Sequence, residues 1–340
     1  MNILVTGGAG FIGSHTVVAL TEAGFTPVII DDFSNSQASV LDGLHQILGH
    51  EVRSYAENCH DADTLRRIFK KEKIGGVIHF AAYKAVGESM EQPLKYYDNN
   101  LGSLITLLQV MLEIGVSNLI FSSSCTVYGD PDTLPVTEET PVQPAMSVYG
   151  NTKQVGENIL RDTAAAGEAV KIISLRYFNP IGAHPSALIG ELPLGVPSNL
   201  VPFMMQSAAG LRPALTIFGD DYDTADGTCV RDFIHVMDLA EAHVAALQML
   251  LKNTASSHYD VFNIGTGHGN TVMELIRTFE EVSGESLAYG IGARRAGDVP
   301  AVYADVTKAT EQLYWSARRS LREALVDAWR WQQTYMVAAF

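Results

Sequence analysis

The sequence predicts an α/β fold: a doubly wound parallel sheet, followed by a smaller α/β C-terminal unit. Three observations carry that expectation. Short apolar runs alternate with amphipathic stretches through the first half, a glycine-rich turn follows the first run, and the texture shifts to Gly, Pro and Ser after Phe178-Asn179-Pro180. Runs at 3–5, 28–30, 77–80, 119–121 and 172–175 are apolar but for His79 and Ser174, as suits strands buried on both faces. Helical patterns at 12–23, 62–71, 103–114 and 155–166 supply the right-handed crossovers that parallel strands need. Residues 232–251 read as strand then helix, so a segment at about 232–262 is expected to return to the first unit. The division expected is therefore 1–178 and 179–340, without a single clean cut.

At 340 residues and 47% hydrophobic composition the chain can bury a substantial core, which excludes a disordered or fibrous protein. A formal charge of −15 opposes nucleic-acid or anionic-membrane affinity. An anionic ligand must then be held by a few local cations. Cys59, Cys125 and Cys229 are odd in number and widely spaced, fitting neither a disulfide framework nor a zinc cluster, so no metal is expected and a reducing cytoplasm is the simplest compartment. The first residues run directly into a strand, and no apolar run approaches ~18 residues, so a soluble chain without a membrane partner is expected.

Gly7, Gly10 and Gly13 follow the first apolar run and open a helix. Gly7 permits a tight turn, Gly10 lets backbone approach a pyrophosphate, and Gly13 lets the helix pack against the sheet with its amides facing phosphates. A purely structural turn needs only one of them. Asp31, ending the second run, can accept hydrogen bonds from a ribose diol and would repel a 2′-phosphate; with no Lys or Arg from 31 to 35, NAD is favoured over NADP. Its plainer reading is the start of a polar turn with Asp32. The first unit is thus expected to be a Rossmann-type cofactor domain and the second a substrate domain.

Tyr149-Gly-Asn-Thr-Lys153 sets a phenol and an ammonium on one helical face, where the cation can favour a phenolate acting as base near neutrality. Such spacing also arises by chance. Joined to the glycine loop and to Ser122-Ser123-Ser124, it points to redox chemistry on an alcohol carbon. Ser124 alone would read equally as a cap.

The chain is identified by TGGAGFIGSH, VIHFAAYKAVGES, YYDNN, FSSSCTVYGD, the Tyr149/Lys153 pair, RYFNPIGAHPS, VRDFIHVMDLA and RRAGDVPAVYAD as resembling the extended short-chain dehydrogenase/reductases, and more closely the UDP-glucose 4-epimerases. That resemblance spans nearly the whole chain. It implies interconversion of UDP-glucose and UDP-galactose through a 4-keto sugar that pivots before hydride returns from tightly bound NADH. Ser124 and Tyr149 would contact the C4 hydroxyl, Lys153 would bind nicotinamide ribose and tune the phenol, and Asn99 would support the site. NAD contacts are implied at Gly7, Gly10, Phe11, Ile12, Gly13, Asp31 and Asn35. Further ones are implied at Asn58, Cys59, Phe80, Ala81, Ala82, Lys84, Asn99, Ser122, Tyr149, Lys153, Tyr177 and Phe178. For the nucleotide-sugar the matching positions are Asn179, Asn199, Leu200, Thr216, Phe218, Arg231, Arg295, Asp298 and Val302. Arg231 and Arg295 suit a diphosphate by bidentate geometry, though either could instead pair with Asp232 or Asp298. Lys84 reads equally as an exposed loop lysine. A homodimer is implied, formed by segments 96–114 and 149–165.

Two positions depart from the pattern. Asn58 stands where relatives carry Asp, keeping an acceptor oxygen but losing charge. Val302 is small where members differ, which leaves room at sugar C2 and opens UDP-N-acetylglucosamine and UDP-N-acetylgalactosamine as substrates. Among alternatives, a 4,6-dehydratase would place an Asp-Glu pair where Cys125-Thr126 stands. Uronic acid epimerases or decarboxylases stay open, as does a non-catalytic NAD-binding regulator, which would commonly have lost Tyr149 or Lys153. The terminal stretch 326–340, rich in Trp329, Trp331 and Tyr335, is expected to dock as a helix.

Overall fold

The computed structural model describes residues 1–295 and 297–339; Ala296 and Phe340, both inside the expected second unit, lie outside the described residues. The chain lays down β1 (Asn2–Thr6), α1 (Phe11–Glu22), β2 (Thr26–Ile30), α2 (Ser39–Leu48), β3 (Arg53–Tyr55), α3 (Ala62–Glu72), β4 (Ile74–His79), α4 (Val86–Glu91), α5 (Pro93–Tyr97), α6 (Ser103–Ile114), β5 (Asn118–Ser122), α7 (Val148–Ala165) and β6 (Lys171–Tyr177). There follow β7 (Asn179–Ile181), α8 (Leu200–Ala208), β8 (Leu215–Phe218), β9 (Val230–Arg231), β10 (Phe233–His235), α9 (Val236–Lys252) and β11 (His258–Ile264). The chain closes with β12 (Asn270–Thr271), α10 (Val272–Ser283), β13 (Tyr289–Gly292), β14 (Ala301–Val302) and α11 (Leu321–Ala339).

Seven strands form one all-parallel sheet in the order β11-β6-β5-β4-β1-β2-β3, the doubly wound arrangement expected. Alternation along each strand sends side chains to two separate cores. Ile3 and Val5 of β1 join Ile29, Ile78 and Ile120 under α1 and α9, whereas Leu4 joins Val28, Val77 and Leu119 under α3, α6 and α7. Each such fully buried side chain contributes about 1.5–3 kcal/mol, which is why the two faces are equally apolar. Helix α9 packs on α1, and β11 pairs with β6 from His258 opposite Lys171 to Ile264 opposite Tyr177, so the chain re-enters the main sheet after its excursion.

Edge strand β3 and helix α2 escape the periodicity reading. Arg53 and Ser54 are exposed and polar, only Tyr55 is part-buried, and the strand pairs on one side alone. Helix α7 begins at Val148, seven residues before the periodic stretch, because the Ser147 side chain caps it by accepting from the Gly150 amide at 3.0 Å. Beyond β7 the pairs β8–β13 and β9 with β12 and β14 lie beside a third core of Met204, Leu215, Phe233, Phe279 and Leu325. The terminal helix docks: Trp329 meets Phe279 edge to face at 5.5 Å. Among the described residues no helix is long and apolar enough to cross a membrane.

Candidate active site

The glycine loop closes at the carboxyl end of β1. Gly7 is left-handed at φ 68°, and a Cβ there would stand 2.9 Å from the Ala81 amide nitrogen. At Gly13 a Cβ would fall 2.2 Å from the Gly7 carbonyl oxygen, so only glycine lets α1 sit this close. Helix α1 has no side-chain cap, and its first amides remain available to an anion. The loop is braced by Asp31, whose carboxylate accepts from the amides of Ala9 (3.0 Å) and Phe33 (3.0 Å) and from Ser36 Oγ (2.7 Å). A carboxylate offers about four lone-pair sites, so one remains for a ribose hydroxyl. These features fit a dinucleotide carrying no 2′-phosphate. Phe80 lies against the His243 ring at 4.7 Å, and the Ala81 amide, beside Ala82, donates to Thr6 Oγ1 at 3.2 Å. Asn58 is exposed; its oxygen accepts from the His60 amide at 2.8 Å and its amide donates to Asp32 at 3.0 Å. Cys59 is buried beside it, its thiol pushed up to about 12 by that burial. Asn35 is exposed; Phe11 and Ile12 are part-buried in the first turn of α1.

Ser122, Ser124, Tyr149, Lys153 and Tyr177 gather at the carboxyl ends of β5 and β6. Lys153 is 4% exposed, and its ammonium donates to the Ser122 carbonyl at 2.6 Å. Burial lowers its pKa to about 8, while Glu157, one turn on, pulls it back upward. Its Nζ stands 5.8 Å from the Tyr149 ring centre. Burial, with Tyr177 adding to it, pushes the Tyr149 phenol above its ordinary value, and the Ser124 hydroxyl works in the opposite sense. The lowered phenol expected from the four-residue spacing is thus not produced by protein groups alone, because desolvation outweighs a cation engaged elsewhere. Ser122 Oγ is hydrogen-bonded to the Tyr177 hydroxyl, and burial pushes Tyr177 up to about 12. Ser124 also caps the following turn, accepting from the Thr126 amide at 3.2 Å, so the structural reading of that residue holds alongside any other. Asn99 donates to Asn100 Oδ1 at 3.0 Å.

Beyond β13, Asp298 collects both arginines. Arg295 grips it at 3.1 and 2.8 Å, and Arg231 Nη2 stands at 3.8 Å while its Nη1 donates to Val230 O at 2.9 Å. The carboxylate pairing foreseen as the plainer alternative is realised closely for Arg295 and at the longer 3.8 Å for Arg231. Its guanidinium also lies 5.7 Å from the centre of the Phe218 ring, which with Thr216 is exposed on β8. Val302 is buried among Val127, Tyr128 and Phe178. The Asn179 backbone N–H donates to Asp232 O at 2.9 Å, and Leu200 packs on the third core. Lys84 and Asn199 both bond to Glu191 at 3.0 Å.

Several supporting residues escape the sequence reading. Asn100 Oδ1 accepts from the Tyr83 amide at 2.9 Å, and its amide donates to Tyr83 O and Thr152 Oγ1, each at 3.1 Å, which ties the loop after β4 to α7. Beneath Lys153, Glu157 accepts from Ser123 Oγ at 2.5 Å and from Arg176 at 2.9 and 2.6 Å; Arg176 donates onward to Tyr128 OH at 3.1 Å, which donates to Asn263 at 2.6 Å. Only the neighbouring motif letters, such as the second Asn of YYDNN, could have signalled them.

The model of the "NAD dependent epimerase/dehydratase family" matches residues 3–265. A curated UDP-glucose 4-epimerase from Neisseria meningitidis is 49% identical over 97% of this chain and 96% of its own. A Stenotrophomonas maltophila UDP-glucose-4-epimerase, crystallised with NAD and formylated UDP-arabinopyranose, superposes with TM-score 0.96 at 47% identity, covering 99% of both chains. One from Bifidobacterium longum, in complex with NAD+ and UDP, gives TM-score 0.94 at 44% identity, covering 98% of both chains.

Proposed function

The chain belongs to the NAD dependent epimerase/dehydratase family, and on that premise we propose that it is an NAD-dependent UDP-glucose 4-epimerase interconverting UDP-glucose and UDP-galactose. The observation that carries the reading is the gathering of Ser124, Tyr149 and Lys153 beside the glycine cradle at the carboxyl edge of the sheet, where doubly wound folds bind ligands. Bound NAD supplies a hydride acceptor and donor that is restored in every cycle.

The residues then divide the work. The first amides of α1 and Lys84 hold the cofactor diphosphate, Asp31 takes the ribose through its remaining lone pair, and residues 1–178 serve as the cofactor domain. Tyr149 accepts the proton of the C4 hydroxyl and gives it back, and Ser124 orients that hydroxyl. Raised by burial, Tyr149 is a proton carrier whose basic form needs a nearby positive charge. Lys153, anchored on Ser122 O, fixes the ribose side. Residues 179–340 hold the nucleotide-sugar: Arg231 and Arg295 for phosphates, Asp298 and Phe218 for the nucleoside, with Asn179, Asn199, Leu200 and Thr216 around them. Val302 leaves space at C2, so N-acetylated UDP-sugars are accepted as well.

A dehydratase is disfavoured because Cys125-Thr126 offers no acid–base pair, the thiol being pushed up to about 12 by burial. The protein acts as a homodimer through α6 and α7, a reading supported by Ile105, a large apolar side chain 41% exposed on α6. Three free cysteines fit a cytoplasmic site of action. The test is turnover of UDP-galactose by the purified protein without added cofactor, read by chromatography. Appearance of UDP-glucose supports an epimerase that carries NAD; no conversion even after NAD is added would refute it.

A further inference from the structure

Glu191 lies outside the glycine loop, the serine run and the Tyr149/Lys153 pair, on the segment between β7 and α8. Its carboxylate is 11% exposed, and a single oxygen, Oε1, accepts from both Lys84 Nζ and Asn199 Nδ2 at 3.0 Å. Lys84 comes from the loop after β4; Asn199 stands at the start of α8. The carboxylate therefore joins a residue assigned above to the cofactor pyrophosphate with one assigned to the substrate.

The segment carrying it is fixed from two sides. A Cβ on Gly43 of α2 would fall 2.3 Å from Leu188 O, and one on Gly190 would fall 2.4 Å from the Trp331 ring, whose Nε1 donates to Glu191 O at 3.1 Å. The Lys84 loop is separately tied down by Asn100. Neither donor is exhausted by its bond to Glu191: an ammonium has three N–H groups and a carboxamide two, so each keeps hydrogens for a phosphate or hydroxyl.

We propose that Glu191 is a positioning residue that aims Lys84 and Asn199 as one unit, coupling the grip on the cofactor to the grip on the nucleotide-sugar. This rests on the proposed function. A lysine freed of its partner regains its rotamers, and Asn199, sharing the same acceptor, loses its anchor when the carboxylate is pulled aside or removed. Binding energies at the two sites then become mutually dependent, as any shared positioning element requires.

The experiment is calorimetric titration of UDP into the NAD-saturated full chain, for the native protein, Lys84→Met, Glu191→Ala and the double variant. Lys84→Met is expected to weaken UDP at least about threefold in the native background, and by no measurable factor once Glu191 is alanine. Glu191→Gln covers the case in which the alanine variant does not fold: it lacks the charge that holds the ammonium, so the Lys84→Met factor must drop below its native value. An equal factor in every background, or none in the native one, overturns the coupling while leaving the epimerase assignment intact. A native chain that binds no UDP overturns both.

Discussion

A graded series of glycine-to-alanine changes tests the cofactor cradle by distance alone. At Gly13 an added Cβ meets the Gly7 oxygen at 2.2 Å and Gly8 Cα at 2.8 Å, where ordinary contact begins near 3.4 Å. Both obstacles are backbone, so α1 must retreat by roughly 1 Å, which carries its first amides away from a bound phosphate. Overpacking of this kind also costs about 1–3 kcal/mol of stability, or roughly 1–4 °C in Tm for a chain of this size. Gly10 is milder: its Cβ would touch one atom, Gly7 O, at 3.2 Å. Gly87, in the first turn of α4, meets nothing within 4 Å and has no left-handed backbone, so a methyl group is accommodated there without displacing its neighbours. The assay is NAD retained per chain after purification, from released cofactor absorbance, with Tm from scanning fluorimetry. The expected order of loss is Gly13→Ala, then Gly10→Ala, with Gly87→Ala unaffected. A Gly13→Ala protein that keeps the native complement of NAD and an unshifted Tm would refute the reasoning.

Tyr149→Phe is expected to retain NAD and lose activity by about 10²–10⁴-fold, as removal of a general acid–base group does, and full turnover by that variant would remove Tyr149 from the chemistry. Arg176→Met strands the buried Glu157 carboxylate and should cost about 3–5 kcal/mol in chemical denaturation, where a loss under about 1 kcal/mol would mean that water reaches the pair. The Lys153 pKa, lowered from 10.5 to about 8, gives a pH signature. Between those values the unfolded chain binds the extra proton, so stability rises with pH across the window, by up to about 3 kcal/mol for this group; urea titrations from pH 7 to 10 should show a rise that Lys153→Met flattens. Val302→Tyr should suppress turnover of N-acetylated UDP-sugars about 10–200-fold while sparing UDP-galactose, and equal losses on both would contradict the space assigned at C2.

What the sequence discloses is local. The glycine loop, Asp31, the Ser122–Ser124 run and Tyr149 with Lys153 each lie within one strand, turn or helix, so spacing alone carries their geometry. Residue pairs far apart in the chain do not announce themselves: Glu157 with Arg176, Asn100 with Thr152, and Lys84 with Glu191 meet only after the sheet has formed. Electrostatics is less legible still. The four-residue step from Tyr149 to Lys153 is plain in the letters, but that burial would dominate both titrations, and that the ammonium would turn to a backbone carbonyl, depends on what surrounds them. Strand β3 is missed for the opposite reason: an exposed edge carries no apolar signature to find.

The return of β11 to the main sheet bears on how the chain is made. Strand β6 is buried along nearly its whole length in the finished fold, and one of its flanks stays unpaired until β11 arrives. During synthesis roughly ninety residues intervene, a wait on the order of ten seconds at about 5–20 residues per second. Through that interval the nascent chain presents an open, sticky strand, the kind of surface that invites pairing with a neighbour. A fragment ending shortly after β6 would carry that exposure permanently, so it is the emergence of residue 264 from the ribosome, and not that of 178, that lets the first sheet close.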